Sequence, residues 1–269
     1  MKKIIIILLC LLTTGCYDYK ELNNITIIDS IRIDYDNESY KVCFKDIDNN
    51  NYCDSNSNLY ESFNNNYFLK HVNTVYLSDS VCRNGINDLL NYFMRNINFS
   101  NSYKIVISNN DDNNNSNIEG LDNIKLLSYL YKGDKDIGLI NVDNNLLGYF
   151  KDDKLINYID SSIYMFINFN KHIEFSDNDN NVIKIYDRDV SYKNNILRID
   201  CYGEIVSTNY NIINYNELSD KFIKIIEDNI KSYIDIIYED NCNIFGIDKN
   251  YSLEINLTLN KNGNLIEGL

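Results

Sequence analysis

The sequence predicts an α+β fold of two mixed α/β domains, the C-terminal one an antiparallel sheet packed by a long helix. Strand-like alternation and helical apolar stripes occupy separate runs of the 269-residue chain, which favours segregated strands and helices. Hydrophobic residues make up 44% of the chain, too large a share for a disordered protein. From residue 138 onward the pattern changes to short strands. We therefore expect a leader at residues 1–15, an N-terminal domain at 16–137 and a C-terminal domain at 138–269.

Periodic apolar residues predict the elements of the N-terminal domain. Apolar side chains at helical spacing predict a helix from about Ser80 to Arg95, with Asp79 or Ser80 as its cap. The other predicted segments are strands at 25–34, 40–44, 71–77 and 104–108, polar loops at 45–58 and 109–117, a stretch at 59–68 that suits helix or strand, and a helix at 121–131.

The C-terminal domain is predicted to contain short strands, one long helix and a last strand. The candidate strands, each bounded by Asn and Asp clusters, lie at 146–150, 163–168, 182–186 and 196–205. Apolar residues from Leu218 to Ile237 form the stripe of a helix at about 217–238, and charged residues occupy its other face. Packing on the sheet explains this stripe better than docking of a partner helix. Alternation then predicts a strand at 252–259.

The first sixteen residues have the pattern of an export signal. Lys2 and Lys3 precede an unbroken apolar run at residues 4–12, and Gly15 and Cys16 follow. This run is too short to cross a hydrocarbon core, which needs about 20 helical residues. A cationic start, a short apolar run and small residues before a cleavage point are typical of a secretory signal peptide. Because it ends in Gly-Cys, the segment resembles a bacterial lipoprotein signal, with cleavage after Gly15 and lipid on Cys16.

An ordinary signal peptide cleaved elsewhere, or an uncleaved apolar N-terminus, is the alternative to lipidation. The position three residues before Cys16 holds Thr13, where lipoprotein signals usually carry Leu. If Cys16 is acylated, two or three chains anchor the protein stably, whereas one binds only marginally. No later stretch predicts a transmembrane segment, because charges interrupt every apolar patch.

The charge of the chain excludes some partners. Removing residues 1–15 takes away Lys2 and Lys3 and no acidic residue, so the formal charge changes from −14 to −16. Nucleic acid needs a basic protein surface, so we expect no nucleic-acid partner. An acidic body is also repelled by an anionic lipid surface, and we therefore expect membrane contact through the lipid anchor alone.

The number and spacing of the cysteines favour free thiols over disulfides. Cys10 leaves with the leader, and Cys16 would carry the lipid. The five left are an odd number without a CxxC pair: Cys43, Cys53, Cys82, Cys201 and Cys242. An extracytoplasmic location permits disulfides, and Cys43 with Cys53 could close a hairpin. We expect mostly free, buried thiols, because a hydrophobic core of this size is stable without disulfides.

A search for catalytic and metal-binding patterns finds little. The chain has no GxSxG, P-loop, HExxH or dinucleotide fingerprint, and His71 and His172 are its only histidines. The acidic start at residues 177–181 suggests a calcium loop, but Val182 stands where Gly is needed and Arg188 where Glu is needed. A solvated turn explains it better. We therefore predict no catalytic residue, no metal site and no cofactor.

Four segments, taken in order, resemble one family. They are residues 12–23, with Gly15-Cys16-Tyr17-Asp18; residues 71–94, with Gly85, Leu89 and Leu90; residues 141–152, with Leu146-Leu147-Gly148-Tyr149; and Asn243-Ile244-Phe245-Gly246. Together they are similar to the Ger(x)C family, the lipoprotein C subunits of spore germinant receptors. They match its lipobox and Cys-Trp-Asp start, its N-terminal strand–helix unit, the opening of its C-terminal domain and its Asp-Ile-Phe-Gly close. Tyr17 replaces the family's Trp, and Asn243 replaces its Asp.

The resemblance implies a non-enzymatic subunit that is anchored by Cys16 and assembles with membrane-embedded germinant receptor subunits. It would lie on the extracytoplasmic face of the cell membrane, which is the spore inner membrane if the host sporulates. The alternative is a solute-binding or envelope-binding lipoprotein unrelated to germination, which would gain stability with its ligand. A third possibility, an extracytoplasmic hydrolase, needs an acidic cleft that the sequence does not reveal.

Overall fold

The computed structural model of the protein describes residues 25–56, 63, 67–95, 99, 103–110, 121–122, 136–169, 171–207, 215–261 and 264–266. These residues form two sheets with helices packed on them, which confirms the predicted α+β class. Gly15 and Cys16 lie outside the described residues. So does most of the predicted helix at 121–131, of which only residues 121–122 are described, and these form a short strand.

The first sheet has a parallel centre and antiparallel flanks. Its strands are β1 (Thr26–Asp36), β2 (Ser39–Asp46), β3 (Asn51–Asn56), β4 (Tyr67–Phe68), β5 (Thr74–Leu77), β6 (Lys104–Ile107), β7 (Leu121–Asp122), β8 (Ile137–Asn141), β9 (Leu146–Lys151) and β10 (Lys154–Asp160). The main order is β10-β9-β8-β6-β5-β1-β2-β3, and β4 and β7 pair with β1 and β6. The parallel pairs of the main order join β1, β5, β6 and β8, and β4 is also parallel to β1. All residues of β5 and β8 are buried, as is usual for parallel strands covered on both faces.

The predicted helix at 80–95 is two helices, α1 (Asp79–Asn84) and α2 (Asn87–Arg95). Gly85 separates them with a φ of 126°, a conformation that residues with a side chain rarely adopt. The cap also differs from the prediction. The hydroxyl of Ser78 accepts a hydrogen bond from the Val81 N–H at 3.4 Å, one residue before the predicted caps.

The predicted polar loop at 45–58 is wrong in its second half. Residues 51–56 form β3, an edge strand with mostly exposed side chains that pairs antiparallel with β2. Its Asn, Asp and Ser residues lack the apolar alternation that identifies a strand, so the sequence gives no signal. Cys43 of β2 lies opposite Cys53 of β3, and the two form a disulfide. The other three cysteines of the described residues are free and buried, as predicted.

The second sheet carries the long helix. Its elements are α3 (Ser162–Asn168), β11 (Ile173–Ser176), β12 (Val182–Lys193), β13 (Ile196–Ser207), α4 (Tyr215–Glu239), β14 (Ser252–Lys261) and β15 (Asn264–Ile266). The order is β11-β12-β13-β14-β15, and neighbours are antiparallel except β13 and β14. These two are parallel because α4 carries the chain across the sheet between them. The predicted helix and last strand are confirmed. Within the described residues, no helix combines the length and apolar character needed to span a bilayer.

The segment at 163–168 is a helix, although the sequence predicted a strand. Ile163 to Ile167 are all buried in α3, so no polar face marks the helical period. A short apolar run of this kind fits a buried strand or a buried helix equally well. The Met165 N–H donates to the Ser161 carbonyl at 2.8 Å, and the Phe169 N–H donates to Met165 at 2.9 Å.

Strands β8 and β9 belong to both hydrophobic cores. Leu139 and Phe150 face the core of the first sheet, together with α1 and α2. Leu147 and Tyr149 face the opposite way and pack with α3, α4 and the second sheet. The sheets therefore divide after Asp160, and the first sheet continues past residue 138. The domain limits of 16–137 and 138–269 stay a prediction.

Candidate functional site at the joint between the two sheets

The joint between the two sheets is where two of the family-like motifs meet. Tyr149, from the motif of residues 146–149, is 1% exposed, and its hydroxyl donates to the carboxylate of Asp240 just beyond α4. Burial and the neighbouring carboxylate raise the pKa of the Tyr149 hydroxyl, which therefore stays protonated and donates. Gly148 faces the core of the first sheet, where a Cβ atom at this position would lie 2.6 Å from Cδ1 of Ile107.

The second motif, residues 243–246, ends the long helix against the same strands. The Cys242 N–H donates to the Ile237 carbonyl at 3.1 Å across Asn241, whose φ is 58°, which is a helix end of the Schellman type. The Asn243 N–H then donates to the carboxylate of Asp136 at 2.6 Å, immediately before β8. The ring of Phe245 lies 5.9 Å from that of Tyr164.

Two further contacts complete the joint. The Tyr233 hydroxyl of α4 donates to the Asp160 carbonyl at the end of β10, at 2.7 Å. Lys151 of β9 lies 3.4 Å from the carboxylate of Asp136, which the Asn243 backbone also contacts. Two of the four motifs on which the resemblance rests therefore form contacts between the two sheets.

Changing Tyr149 to phenylalanine is expected to weaken this joint. A hydrogen bond to a charged group contributes about 1.5–3 kcal/mol, and we expect a loss near the lower figure because exposed Asp240 can be hydrated instead. Urea unfolding of the full chain measures this loss. Tyr202→Phe is the matched control, because Tyr202 is 36% exposed and should change stability little. Equal midpoints for the two variants would contradict a structural role for the Tyr149 hydroxyl.

The acidic turn at residues 177–181 is closed by the protein itself. The fully buried carboxylate of Asp177 accepts bonds from the backbone N–H groups of Asp179 and Asn181, both at 2.9 Å, and from the Asn181 amide at 2.7 Å. Lys221 of α4 lies 2.7 Å from Asp177 and 2.6 Å from Asp179. The ammonium group of Lys221 thus neutralises both carboxylates, as a bound metal ion would in a calcium loop. This supports the predicted turn, and no group of three or more metal-ligating side chains occurs in the described parts of the chain.

A second turn repeats this design at residues 46–50. The carboxylate of Asp46 accepts from the N–H groups of Asp48 and Asn50, at 2.9 and 2.8 Å, and from the Asn50 amide at 2.9 Å. The Tyr52 hydroxyl donates to the Asp46 carboxylate at 3.1 Å, in the position that corresponds to Lys221 in the other turn. The shared pattern Asp-x-Asp-Asn-Asn is therefore a hairpin turn in both places. It could have been found by comparing the two segments in the sequence.

A shallow depression of about 140 Å³ lies on the outer face of the first sheet, above the disulfide. Arg32, Lys41 and Lys45 line it with the two bonded cysteines. The Arg32 guanidinium donates to Asp34 at 3.1 and 3.3 Å and to the Asn110 carbonyl at 2.7 Å. The Asp34 carboxylate thus neutralises the Arg32 guanidinium, and we assign no ligand to the depression.

The free thiols are not poised for chemistry. Burial raises the pKa of the Cys201 and Cys242 thiols to about 12 and that of Cys82 above its usual value. A thiol reacts as its thiolate, and these three hold their protons at neutral pH. Gly15 and Cys16, the predicted cleavage and lipid-attachment residues, lie outside the described residues, and both assignments stay predictions.

Comparison with known proteins identifies the N-terminal part of the chain. Residues 18–131 match the family described as the spore germination protein N-terminal domain. This part of the chain is therefore similar to that family. The match confirms the predicted resemblance to the Ger(x)C family of germinant receptor subunits. The matched range includes the strand–helix unit at 71–94 that carried part of the resemblance.

Two other comparisons complete these findings. Among solved structures, the crystal structure of the GerBC protein aligns with a TM-score of 0.49 and 14% sequence identity. The alignment covers 84% of this chain and 96% of that chain. No curated protein matches this sequence.

Proposed function

We propose that the protein is a lipid-anchored, extracytoplasmic and non-enzymatic subunit of a spore germinant receptor. Cys16 carries the lipid after cleavage behind Gly15, and the folded body lies on the outer face of the membrane, which is the inner membrane of the spore. There it assembles with membrane-embedded receptor subunits. The observation that carries this proposal is the match of residues 18–131 to the spore germination domain, directly after a lipoprotein-like signal.

Two structural features support the proposed location and role. The Cys43–Cys53 disulfide, half exposed on an edge of the sheet, fits an oxidising compartment outside the cytoplasm. The joint of Tyr149, Asp240 and Asp136 links the two sheets, so that the proposed subunit can present one continuous body to its partners. The alternative of a lipoprotein unrelated to germination loses its support through the family match.

Changing Cys16 to alanine is expected to release the protein from membranes. Without acyl chains the acidic body has no apolar anchor, because its surface is repelled by anionic lipid. Membrane and soluble fractions are compared by immunoblotting of the full chain. Cys10→Ala is the control, since that cysteine lies in the leader and its loss should leave the protein membrane-bound. Full retention of the Cys16→Ala variant on membranes would refute the anchoring.

Assembly is tested separately by purifying the tagged chain from detergent-solubilised spore membranes. Multi-spanning receptor subunits should be recovered with it, and mass spectrometry identifies them. Recovery of the chain alone, with intact lipid on Cys16, would leave the anchor in place and overturn the assembly.

A further inference from the structure

The outer edge of β12 is unpaired over most of its length. β11 pairs with residues 182–185 of β12, and in the described residues no strand continues along the edge from Asp187 to Lys193. The side chains of residues 189–193 are all exposed, including Val190 and Tyr192 at 37% each. An exposed strand edge presents free N–H and C=O groups to any strand that can align with it.

The sequence of this edge complements itself. When two copies pair antiparallel with Val190 at the centre, Asp187 of each copy lies opposite Lys193 of the other, which gives two such pairs. The same register puts Arg188 opposite Tyr192 and Asp189 opposite Ser191. Opposite charges and a hydroxyl beside a carboxylate are favourable cross-strand pairs.

The orientation of the side chains agrees with this register. Arg188, Val190 and Tyr192 lie on the face shared with α4, because their β13 partners Cys201, Ile199 and Leu197 are buried there. Asp187, Asp189, Ser191 and Lys193 lie on the opposite face. Each pair in the register therefore joins side chains of one face, as an antiparallel ladder requires.

Arg188 already has a partner within the chain, since its guanidinium lies 5.3 Å from the centroid of the Phe166 ring, but the two outermost charges of the edge form no ion pair in the part of the chain that the structure describes. Neither Asp187 nor Lys193 has an ion-pair partner among the described residues. Asp189 lies opposite Asp200 of β13, a like-charge pair that is unfavourable in isolation. Pairing with a second copy would give both acidic residues a partner and bring Lys193 beside Asp187.

From these observations we infer that two copies of this chain pair antiparallel along residues 187–193 of β12, with Val190 on the two-fold axis. The interface is isologous, since each copy offers the same strand. It is short compared with the roughly 20–30 residues a side of a stable interface. The contact is therefore weak in solution, and it rests on the proposed anchoring, which raises the effective concentration of one copy near another.

A cysteine placed on the axis tests this pairing in the full-length chain within its membrane. In the Val190→Cys variant the two new thiols face each other at Cα separations of about 4.5–5.5 Å, which a disulfide can bridge. Mild oxidation should double the apparent mass on a non-reducing gel. Val206→Cys is the matched control, because Val206 is 53% exposed on the neighbouring strand and lies off the axis. It should stay monomeric.

Charge exchange tests the register. In the Val190→Cys background, Lys193→Asp should abolish the cross-link, because an acidic residue at position 193 of each copy would then lie opposite Asp187 of the other copy. Adding Asp187→Lys to that variant should restore the cross-link. Restoration by the double exchange would not occur if a different protein bound this edge.

Two outcomes would overturn the inference. One is a membrane-bound Val190→Cys chain that stays monomeric after oxidation. The other is a cross-link at Ser191→Cys in place of Val190→Cys, which would reject the register. A chain found in the soluble fraction would instead refute the anchoring, so the two proposals fail in different ways.

Discussion

Replacing Ile230 by alanine is expected to lower the free energy of unfolding by about 2–5 kcal/mol, the range for such a truncation in a packed core. Ile230 lies in the middle of α4 and is fully buried in the core of the second sheet. The helix connects the parallel strands β13 and β14, so a cavity beneath it loosens both. Urea unfolding should show a lower midpoint with an unchanged slope.

Ile236 of the same helix provides the matched control. Its side chain is 45% exposed, and Ile236→Ala removes little buried surface. Alanine is also the better helix former, so the variant should stay within about 0.5 kcal/mol of the natural chain. A comparable loss in both variants would mean that the apolar stripe of α4 does not face the sheet.

Replacing Asp177 by alanine is expected to give the second large effect. The change removes the acceptor of three bonds within the turn and the ion-pair partner of Lys221. A single hydrogen bond to a charged group contributes about 1.5–3 kcal/mol, and we expect a loss at least that large. Asp228→Ala, on the exposed face of α4, is the control and should be nearly neutral.

The contribution of Asp177 should also depend on pH. Burial by itself raises the pKa of this carboxyl, but the bonds from Lys221, Asn181 and the backbone outweigh it and lower the pKa from 3.8 to about 2. A lowered folded-state pKa stabilises the protein fully above about pH 4, and this stabilisation is lost as the pH falls toward about 2.

Unfolding of the natural chain and of Asp177→Ala at several pH values measures this dependence. The difference between their unfolding free energies should shrink as the pH falls below about 4. A difference that stays constant across this window would show that the charge of Asp177 does not contribute.

Periodic elements could be predicted from the sequence because their own residues carry the signal. The stripe of α4 and the alternation of β14 define both elements without any tertiary contact. The wrong predictions lack such a signal. Buried on all sides, α3 shows no period, and β3 is polar because it lies at an edge. The break at Gly85 interrupts an apolar stripe that continues through it.

The joint was only half visible in the sequence. The motifs around Tyr149 and Asn243 could be recognised, but their partners Asp136 and Asp240 are single acidic residues in a chain rich in them. Pairing between residues 91 or 107 positions apart leaves no local pattern. The parallel pairing of β13 and β14 is likewise set by the crossover of α4, which strand patterns do not encode.

Because β8 and β9 contribute side chains to both hydrophobic cores, the chain cannot be divided at residue 137 into two fragments that each keep a complete core. A fragment that ends at residue 137 leaves behind the strands that cover its hydrophobic interior, and the complementary piece carries Leu139 and Phe150 into water. Both fragments would expose large apolar surfaces and tend to aggregate. Separate expression of the halves thus calls for a cut after Asp160, and even there Leu147 and Tyr149 would lose their cover.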